Sequence, residues 1–250
     1  MIIEKTDFRL PGTTGVYRGK VRDVYVIEEQ ALVFVATDRI SAFDHILPDA
    51  IPRKGRVLNQ TAAYFLERTR PLCRNHALAF PDPNVTIGVK CEAYPVEVVV
   101  RGHLCGHAWR VYRTGERTLC GVKMPDGLHE NDPFPEPLVT PSTKSKIGHD
   151  IDVSEAEIVK AGLVSGEEWA EIRFRALQLF ADGQRHARER GLILADTKYE
   201  FGVKNFDIYL IDEIHTPDSS RYFYADGFEE RQLAGLPQKQ LSKEFVREWL

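Results

Sequence analysis

Two segments of this sequence hold most of the residues able to do chemistry. The first is Tyr17-Arg18-Gly19-Lys20-Val21-Arg22-Asp23-Val24-Tyr25. Its glycine lets backbone N–H groups approach phosphate oxygens, and in a strand Lys20 and Arg22 share one face. Such a loop cradles a polyphosphate, each charge-assisted hydrogen bond contributing about 1.5–3 kcal/mol. A solvated strand edge protected by cations is the plainer reading of the same residues. Neither the Walker pattern nor the full glycine triplet of protein kinases is present. The second segment is Leu194–Gly202 with Ile208–Glu213. As a strand, it turns Asp196, Lys198 and Glu200 one way and Ala195, Thr197, Tyr199 and Phe201 the other. Pairing through a turn near Asn205 brings Asp212 opposite or diagonal to Lys198 and Glu200. Two carboxylates beside a lysine suit a Mg²⁺ that bridges ATP phosphates, although a cross-strand salt-bridge ladder uses the same residues. Asp212 and Glu213 directly follow the apolar Ile208–Ile211, and burying such a pair is costly without a partner or metal.

Three loops add hydroxyls and cations. Asp212–Arg221 is dense in Thr and Ser and ends in a guanidinium, a planar fork for carboxylate or phosphate. Thr37–Asp44 and Thr140–Asp150 each follow apolar strand-like residues and suit a polar, anionic small molecule. Taken singly, each is also an ordinary turn. His103-Leu-Cys105-Gly-His107 resembles half of a zinc site. No second Cys or His cluster lies at ligand spacing, so a structural or substrate-contacting role is favoured.

The elements that must position these residues are readable in outline. Val21–Ile27 and Ala31–Ala36 predict a hairpin. Asn59 to Arg70 predicts a helix with Asn59 as N-cap and Pro71 as its stop. Strand character returns over 71–100. Pro125, Pro133, Pro135, Pro137 and Pro141 predict an irregular stretch, because each proline removes a donor and fixes φ. Ser154…Glu157 and Ser165…Glu168 predict two capped helices, the second with Trp169, Ile172, Ala176 and Phe180 on its buried face and Gly191 at its end. Two strands, 192–202 and 206–214, then pair. The last residues, 245–250, read as the start of an amphipathic helix with Ser242 as a cap. The pattern is α+β, with antiparallel sheets and flanking helices. The expected division falls near 95–101, giving a strand-rich lobe over 1–100 and an α+β lobe over 101–250.

The 33 Lys and Arg against 37 Asp and Glu, a net charge of −4, give no electrostatic reason to expect nucleic acid or an anionic membrane. No apolar run approaches the roughly 18 residues of a membrane span, and the N-terminus lacks a secretory pattern. The four cysteines, 73, 91, 105 and 120, include no Cys-x-x-Cys pair and read as reduced thiols. A cytoplasmic protein acting on small molecules is expected, with self-association left open.

Six motifs in order resemble the SAICAR synthetase family of purine biosynthesis. They are Tyr-Arg-Gly-Lys-Val-Arg-Asp-Val-Tyr from Tyr17, Thr-Asp-Arg-Ile-Ser-Ala-Phe-Asp from Thr37, Glu-Val-Val-Val-Arg-Gly from Glu97, Thr-Pro-Ser-Thr-Lys from Thr140, Asp-Thr-Lys-Tyr-Glu-Phe-Gly from Asp196 and Asp-Glu-Ile-His-Thr-Pro-Asp-Ser-Ser-Arg from Asp212. The resemblance implies two lobes with an ATP site between them, in a SAICAR synthase-like (ATP-grasp-like) fold. It implies a ligase that uses ATP and Mg²⁺ to join L-aspartate to carboxyaminoimidazole ribonucleotide (CAIR) through an acyl phosphate. Carried over residue by residue, Gly19, Lys20, Val21 and Arg22 cover the ATP phosphates and Glu92–Val98 touches adenine. Glu200 and Asp212 hold Mg²⁺, with Lys198 beside them on the phosphate side. Arg101 and Arg221 hold the CAIR carboxylate and ribose phosphate. Asp38, Ser41, Ala42, Ser142, Thr143 and Lys144 lie in segments that close over the substrates. This chain carries His107 where many members have serine, and it could still donate to the ribotide phosphate. It carries Lys146 where an acidic residue is common. The alternatives are a related ligase acting on another carboxylate and a nucleotide-binding regulatory module without turnover.

Overall fold

The computed structural model describes residues 2–42, 45–144, 151–244 and 246. Expectations for Phe43 and Asp44, for Lys146 and its neighbours over 145–150, and for a helix over 245–250 lie wholly or almost wholly outside the described residues. Ser242, expected to cap that helix, accepts the Glu244 N–H at 3.2 Å.

Strands β1 (Thr13–Arg18), β2 (Arg22–Ile27) and β3 (Ala31–Ala36) form an antiparallel meander. A two-stranded ribbon follows, β4 (Ser41–Ala42) and β5 (His45–Ile46), then helix α1 (Lys54–Thr69) and the hairpin β6 (Ala77–Asp82) and β7 (Val85–Val89). These strands, apart from the ribbon, make a five-stranded sheet in the order β1-β2-β3-β7-β6. The expected β2–β3 hairpin forms because β-branched residues on both strands pack on a pleated surface, with Glu28 and Glu29 turning the chain at positive φ.

Helix α1 begins five residues before the expected cap. Its first turn is capped from a distance: the Asp38 carboxylate accepts the Gly55 N–H at 3.0 Å. A Cβ at Gly55 would lie 2.4 Å from the Ala36 carbonyl, so only glycine lets the helix start against the end of β3. Asn59 lies inside the helix and instead bonds Pro83 O and Thr86 Oγ1. The helix ends before Pro71, as expected.

The chain passes to a second sheet at Lys90–Cys91. That sheet begins with β8 (Glu92–His103), followed by α2 (Gly106–Tyr112), the small ribbon β9 (Thr118–Leu119) and β10 (Val122–Lys123), β11 (Pro133–Thr143) and β12 (Ile151–Asp152). Helices α3 (Glu155–Lys160) and α4 (Gly166–Arg188) precede β13 (Leu192–Lys204), β14 (Asp207–Ile211), β15 (Ser220–Tyr224), α5 (Phe228–Leu233) and β16 (Gln240–Leu241). The order is β12-β11-β8-β13-β15-β16, with β14 also on β13.

The proline stretch corrects an expectation, since β11 is a strand through Pro133, Pro135, Pro137 and Pro141. Pro135 and Pro137 fall where pairing with β8 lapses between Pro133 and Leu138. The Pro141 carbonyl accepts Val153 N–H on the outer side, so its missing donor also faces outward, away from β8.

Both capping boxes form, Ser154 with Glu157 and Ser165 with Glu168. Trp169, Ile172, Ala176, Leu179 and Phe180 of α4 are buried against Val96, Val98, Val100, Tyr199 and Phe201 of β8 and β13. Asn205 and Phe206 turn β13 into β14 with positive φ at both positions, the geometry of a two-residue hairpin loop.

Candidate active site

One edge of β13 changes partner half-way along. β14 pairs with Glu200–Lys204 and β15 with Leu192–Thr197, so the edge splits at Lys198–Tyr199. The chain between β14 and β15 emerges at that split. Asp212 leaves β14 with φ 71, a left-handed conformation that an aspartate tolerates and that turns the backbone out of the ladder. The returning loop is closed by Ser219 and Ser220 N–H donating to Thr216 O, and Lys198 N–H donates to Ser219 O at 2.9 Å. The split therefore delivers Asp212, Glu213 and the hydroxyl-rich loop to the charged face of β13.

That face is a row of alternating charge. Glu200 pairs in register with Glu97 of β8, a like-charge juxtaposition that is unfavourable alone. Lys198 resolves it, donating to Glu97 Oε1 at 2.8 Å and pairing with Glu200, while Lys144 pairs with Glu200 from β11's end. Burial disfavours the Lys198 ammonium, but Glu200, Glu97 and Asp212 outweigh it and raise its pKa above the usual lysine range. Arg22, from the start of β2, pairs with Asp212 and with Glu213 at 3.1 Å. Burial opposes ionisation of Asp212, yet Arg22 and Lys198 hold its carboxyl below the ordinary range. Burial lifts Glu213; Arg22 pulls it back, and Asp212 and Asp218 tip it upward.

A second row runs across three strands. Asp196 pairs in register with Arg101 of β8 and with Arg221 of β15. Its Oδ2 lies 3.4 Å from Arg101 Nη1 and 3.2 Å from Arg221 Nη1. Two guanidiniums thus converge on one carboxylate. Arg221 also reaches Glu244 at 3.3 Å, and Arg101 Nε donates to Thr140 Oγ1 at 2.8 Å. Burial and Asp196 push the Cys105 thiol up to about 12, so it stays protonated and donates to Asp196 at 3.5 Å.

Two cavities open on these rows. One, of about 480 Å³, is walled by Val24, Leu32, Phe34, Val89, Ala93 and Ile211, with Gly19, Lys20, Val21, Arg22, Lys144, Glu200 and Asp212 at its polar end. His76 lines it as a neutral ring, its pKa lowered to about 4 by burial. The other, of about 450 Å³, contains Ser41, Arg101, His107, Asp196, Lys198, Asp218, Ser219 and Arg221. Lys20, Val21, Arg22 and Asp212 border both, so the cavities meet at the glycine loop.

The residues expected at the site divide accordingly. Gly19, Lys20, Val21, Arg22, Lys144, Glu200 and Asp212 meet in the first cavity, and Ser41, Arg101, His107, Lys198 and Arg221 in the second. Asp38, Ala42, Ser142 and Thr143 are in neither lining. Asp38 turns inward to the Ile3 and Gly55 N–H groups; Ala42 sits in the β4–β5 ribbon, and Ser142 and Thr143 lie in β11 between β8 and β12. Of the segment expected at adenine, Ala93 lines the apolar cavity, while Glu97 faces the second one. His107 lies 2.7 Å from Asp152. Glu97, Asp196, Glu213 and Asp218 carry the site's acidic side; each lies in a segment singled out from the sequence, but none was given a role of its own. For Glu97 and Asp196 the signal is cross-strand register, which local spacing does not contain.

The SAICAR synthetase family model matches residues 15–250. The chain belongs to the SAICAR synthetase family. Over 249 residues it is 61% identical to the phosphoribosylaminoimidazole-succinocarboxamide synthase of Bacteroides thetaiotaomicron, covering 99% of this chain and 79% of that one. It is 56% identical to the enzyme of the same name from Cytophaga hutchinsonii over 248 residues, covering 99% of this chain and 80% of that one. Among solved structures, a SAICAR synthase from Saccharomyces cerevisiae complexed with SAICAR aligns with TM-score 0.81 at 33% identity, over 98% of this chain and 86% of that one. A type-2 SAICAR synthetase in complex with ADP aligns with TM-score 0.78 at 27% identity, over 93% and 90%. The mixed fold of antiparallel sheets with flanking helices is that of the family, and no described helix is long and apolar enough to cross a membrane.

Proposed function

We propose that this SAICAR synthetase family member joins the amine of L-aspartate to the CAIR carboxylate, with ATP giving ADP and phosphate, at the junction of the two cavities. The shared border of Lys20, Val21, Arg22 and Asp212 is the observation that carries this reading. A carboxylate is a poor acyl donor. Its phosphorylation requires the γ-phosphate of a nucleotide in one cavity to meet a carboxylate in the other, which the common border allows. The apolar walls of the first cavity suit a purine, and the cations at its polar end suit phosphates. The two arginines on Asp196 suit an anion with planar or tetrahedral oxygens. Solved relatives complexed with ADP and with SAICAR support both assignments.

Glu200 and Asp212 fit a Mg²⁺ ion of the kind held by two carboxylates plus substrate phosphates and water. The metal, when bound, supplies neutralisation of phosphate charge. Arg22 and Lys198 favour the ionised Asp212 carboxylate, and Lys198 also pairs with Glu200; both cations stay beside the carboxylates as further positive charge, so the chain's own contribution is positioning and electrostatic stabilisation. Arg101 and Arg221 orient CAIR by its anionic groups. We read the two sheets as the two lobes, with the change at Lys90–Cys91, before the division expected near 95–101, since β8 lies wholly in the second sheet. Since the substrates are soluble metabolites, we place the enzyme in the cytoplasm.

ADP release measured with Mg²⁺-ATP, adding CAIR and L-aspartate separately and together, tests this. Release that needs both, with the succinocarboxamide formed, is expected. No release in any combination, with ADP still bound, overturns it in favour of a regulatory nucleotide site.

A further inference from the structure

Three consecutive carbonyls of the phosphate loop are held by one short segment, Thr37-Asp38-Arg39. Arg39 Nη2 donates to Gly19 O at 2.9 Å, and its Nε donates to Lys20 O at 3.2 Å. Val21 O accepts from Thr37 twice, from the N–H at 3.0 Å and from Oγ1 at 2.8 Å. Neither Thr37 nor Arg39 lines either cavity. They grip the loop from the side away from its proposed ligand.

The grip is itself anchored. The Arg39 guanidinium pairs with Asp23 at 2.9 Å and reaches the Glu4 carbonyl. Asp23 is fully buried, and its carboxylate accepts from Thr6 N–H and Oγ1 at 2.7 and 2.9 Å. Asp38 fixes the middle of the segment, accepting from Ile3 and Gly55 N–H groups, while its own N–H donates to Ile3 O. A loop whose carbonyls are all fixed has its peptide planes fixed, and with them the directions of its N–H groups and side chains.

We propose that Arg39 is the positioning residue of the phosphate loop, holding Gly19 and Lys20 from behind so that Lys20 and Arg22 are presented to the nucleotide phosphates. It touches no substrate. The role needs a planar fork with several donors in fixed directions, because one group serves two carbonyls and a carboxylate together, and lysine's point charge cannot. This inference rests on the nucleotide reading of the 480 Å³ cavity.

ADP binding by calorimetry, with kcat and KM for ATP, CAIR and L-aspartate, is measured on wild type, Arg39→Lys and Thr37→Val. Lysine keeps a charge beside Asp23, so the folded state is retained while the two-carbonyl grip is lost. The expected result for Arg39→Lys is about tenfold weaker ADP binding and a matching rise in KM for ATP, with KM for CAIR within about twofold of wild type. Thr37→Val removes only a hydroxyl bond and shifts the same quantities in the same direction by about threefold. Arg39→Lys that binds ADP as wild type does overturns the inference, as does a rise of all three KM values in step with a fallen melting temperature. If Arg39→Lys does not fold, an unchanged KM for ATP in Thr37→Val overturns it. Wild type that fails to bind ADP removes the nucleotide reading along with it, whereas normal wild-type binding with insensitive variants removes the inference alone.

Discussion

The two faces of β13 are one residue apart in sequence and unlike in what they contribute. Tyr199 and Phe201 are buried against the α4 side of the sheet, where Phe180, Leu179 and Ala176 have no exposed surface. That face stabilises by apolar area removed from water, about 25 cal/mol per Å². Asp196, Lys198 and Glu200 on the other face are half-buried charges whose ion pairs offset a desolvation cost. Partly buried ion pairs are weak evidence for stability, and well-packed apolar residues often do as well in their place. The charged face is therefore explained by what it holds, and the packed face by what it keeps out. Variants on the two faces are expected to separate accordingly, with turnover failing on one and folding on the other.

The largest separation is expected for Asp212→Asn. It replaces the carboxylate proposed to hold Mg²⁺ by a neutral amide of the same shape, and kcat is expected to fall by about 10²–10³-fold. Unfolding free energy falls as well, because Arg22 loses a charged partner, but the variant stays folded at the assay temperature and its loss of kcat exceeds what that destabilisation explains. Activity near wild type at saturating Mg²⁺ breaks the assignment of Asp212 and with it the charged half of the comparison. Phe180→Ala is the opposite case. The ring is fully buried, and its loss costs about 3–5 kcal/mol in unfolding free energy. Because the residue lies behind the sheet, the fraction that remains folded should keep its KM values. Substrate affinity that falls along with stability means the sheet transmits packing defects to the site.

Arg221→Ala comes next. Removing one of the two guanidiniums on Asp196 takes away the charge-assisted bonds proposed to hold the anionic substrate, so CAIR binding is expected to weaken by about 10–100-fold while ADP binding is spared. Calorimetry with each ligand separates the two cavities. Collapse of ADP affinity with CAIR unchanged moves Arg221 to the other one.

The same contrast decides what was legible in the sequence. The packed face was written locally: the capping boxes at Ser154 and Ser165, the helical spacing of Trp169, Ile172, Ala176 and Phe180, and the hairpin turn at Asn205 all formed. Asn59 failed as a cap because Asp38, a residue distant in sequence, holds the α1 N-terminus instead. The proline stretch failed because the rule against proline in strands concerns donors that face a partner, and Pro141 turns its donor side outward. The charged face was only half legible. Lys198, Glu200 and Asp212 follow from alternation and one hairpin, whereas the Glu97–Glu200 and Arg101–Asp196 pairings depend on a register between strands roughly a hundred residues apart, and Asp196–Arg221 on the register of β13 with β15, 25 residues on. The family resemblance supplied Arg101 and Arg221 without their shared carboxylate.

Acid should strike stability through buried histidines, His215 beside Tyr199 of the packed face and His103 against Phe223 and Phe228. His215 is buried, its Nε2 is 2.7 Å from the Tyr199 hydroxyl, and burial lowers its pKa to about 3. His103 is lowered by burial to about 4. A depressed folded-state pKa means the unfolded chain binds more protons between that value and about 6.5, so stability rises with pH there and is lost as pH falls through it. Each such histidine contributes a slope of up to about 1.4 kcal/mol per pH unit below about 6.5. Urea unfolding at pH 7 and pH 5 should show the loss, and a flat profile places the rings in a wetter setting.

The smallest expected effect tests whether the two faces are independent at all. Ser165 Oγ accepts the Glu168 N–H, Ser165 N–H donates back to Glu168, and the other Glu168 oxygen takes the Tyr94 hydroxyl at 2.6 Å. The α4 cap is thereby tied to β8 next to Ala93, which lines the apolar cavity. Ser165→Ala frees one helix donor and should cost about 1 kcal/mol in unfolding free energy. Because Glu168 can still accept from Tyr94, the position of β8 is retained and KM for ATP should not move. A raised KM for ATP in this variant makes the helix cap part of the nucleotide cavity's support, and the packed face of the sheet then serves binding as well as stability.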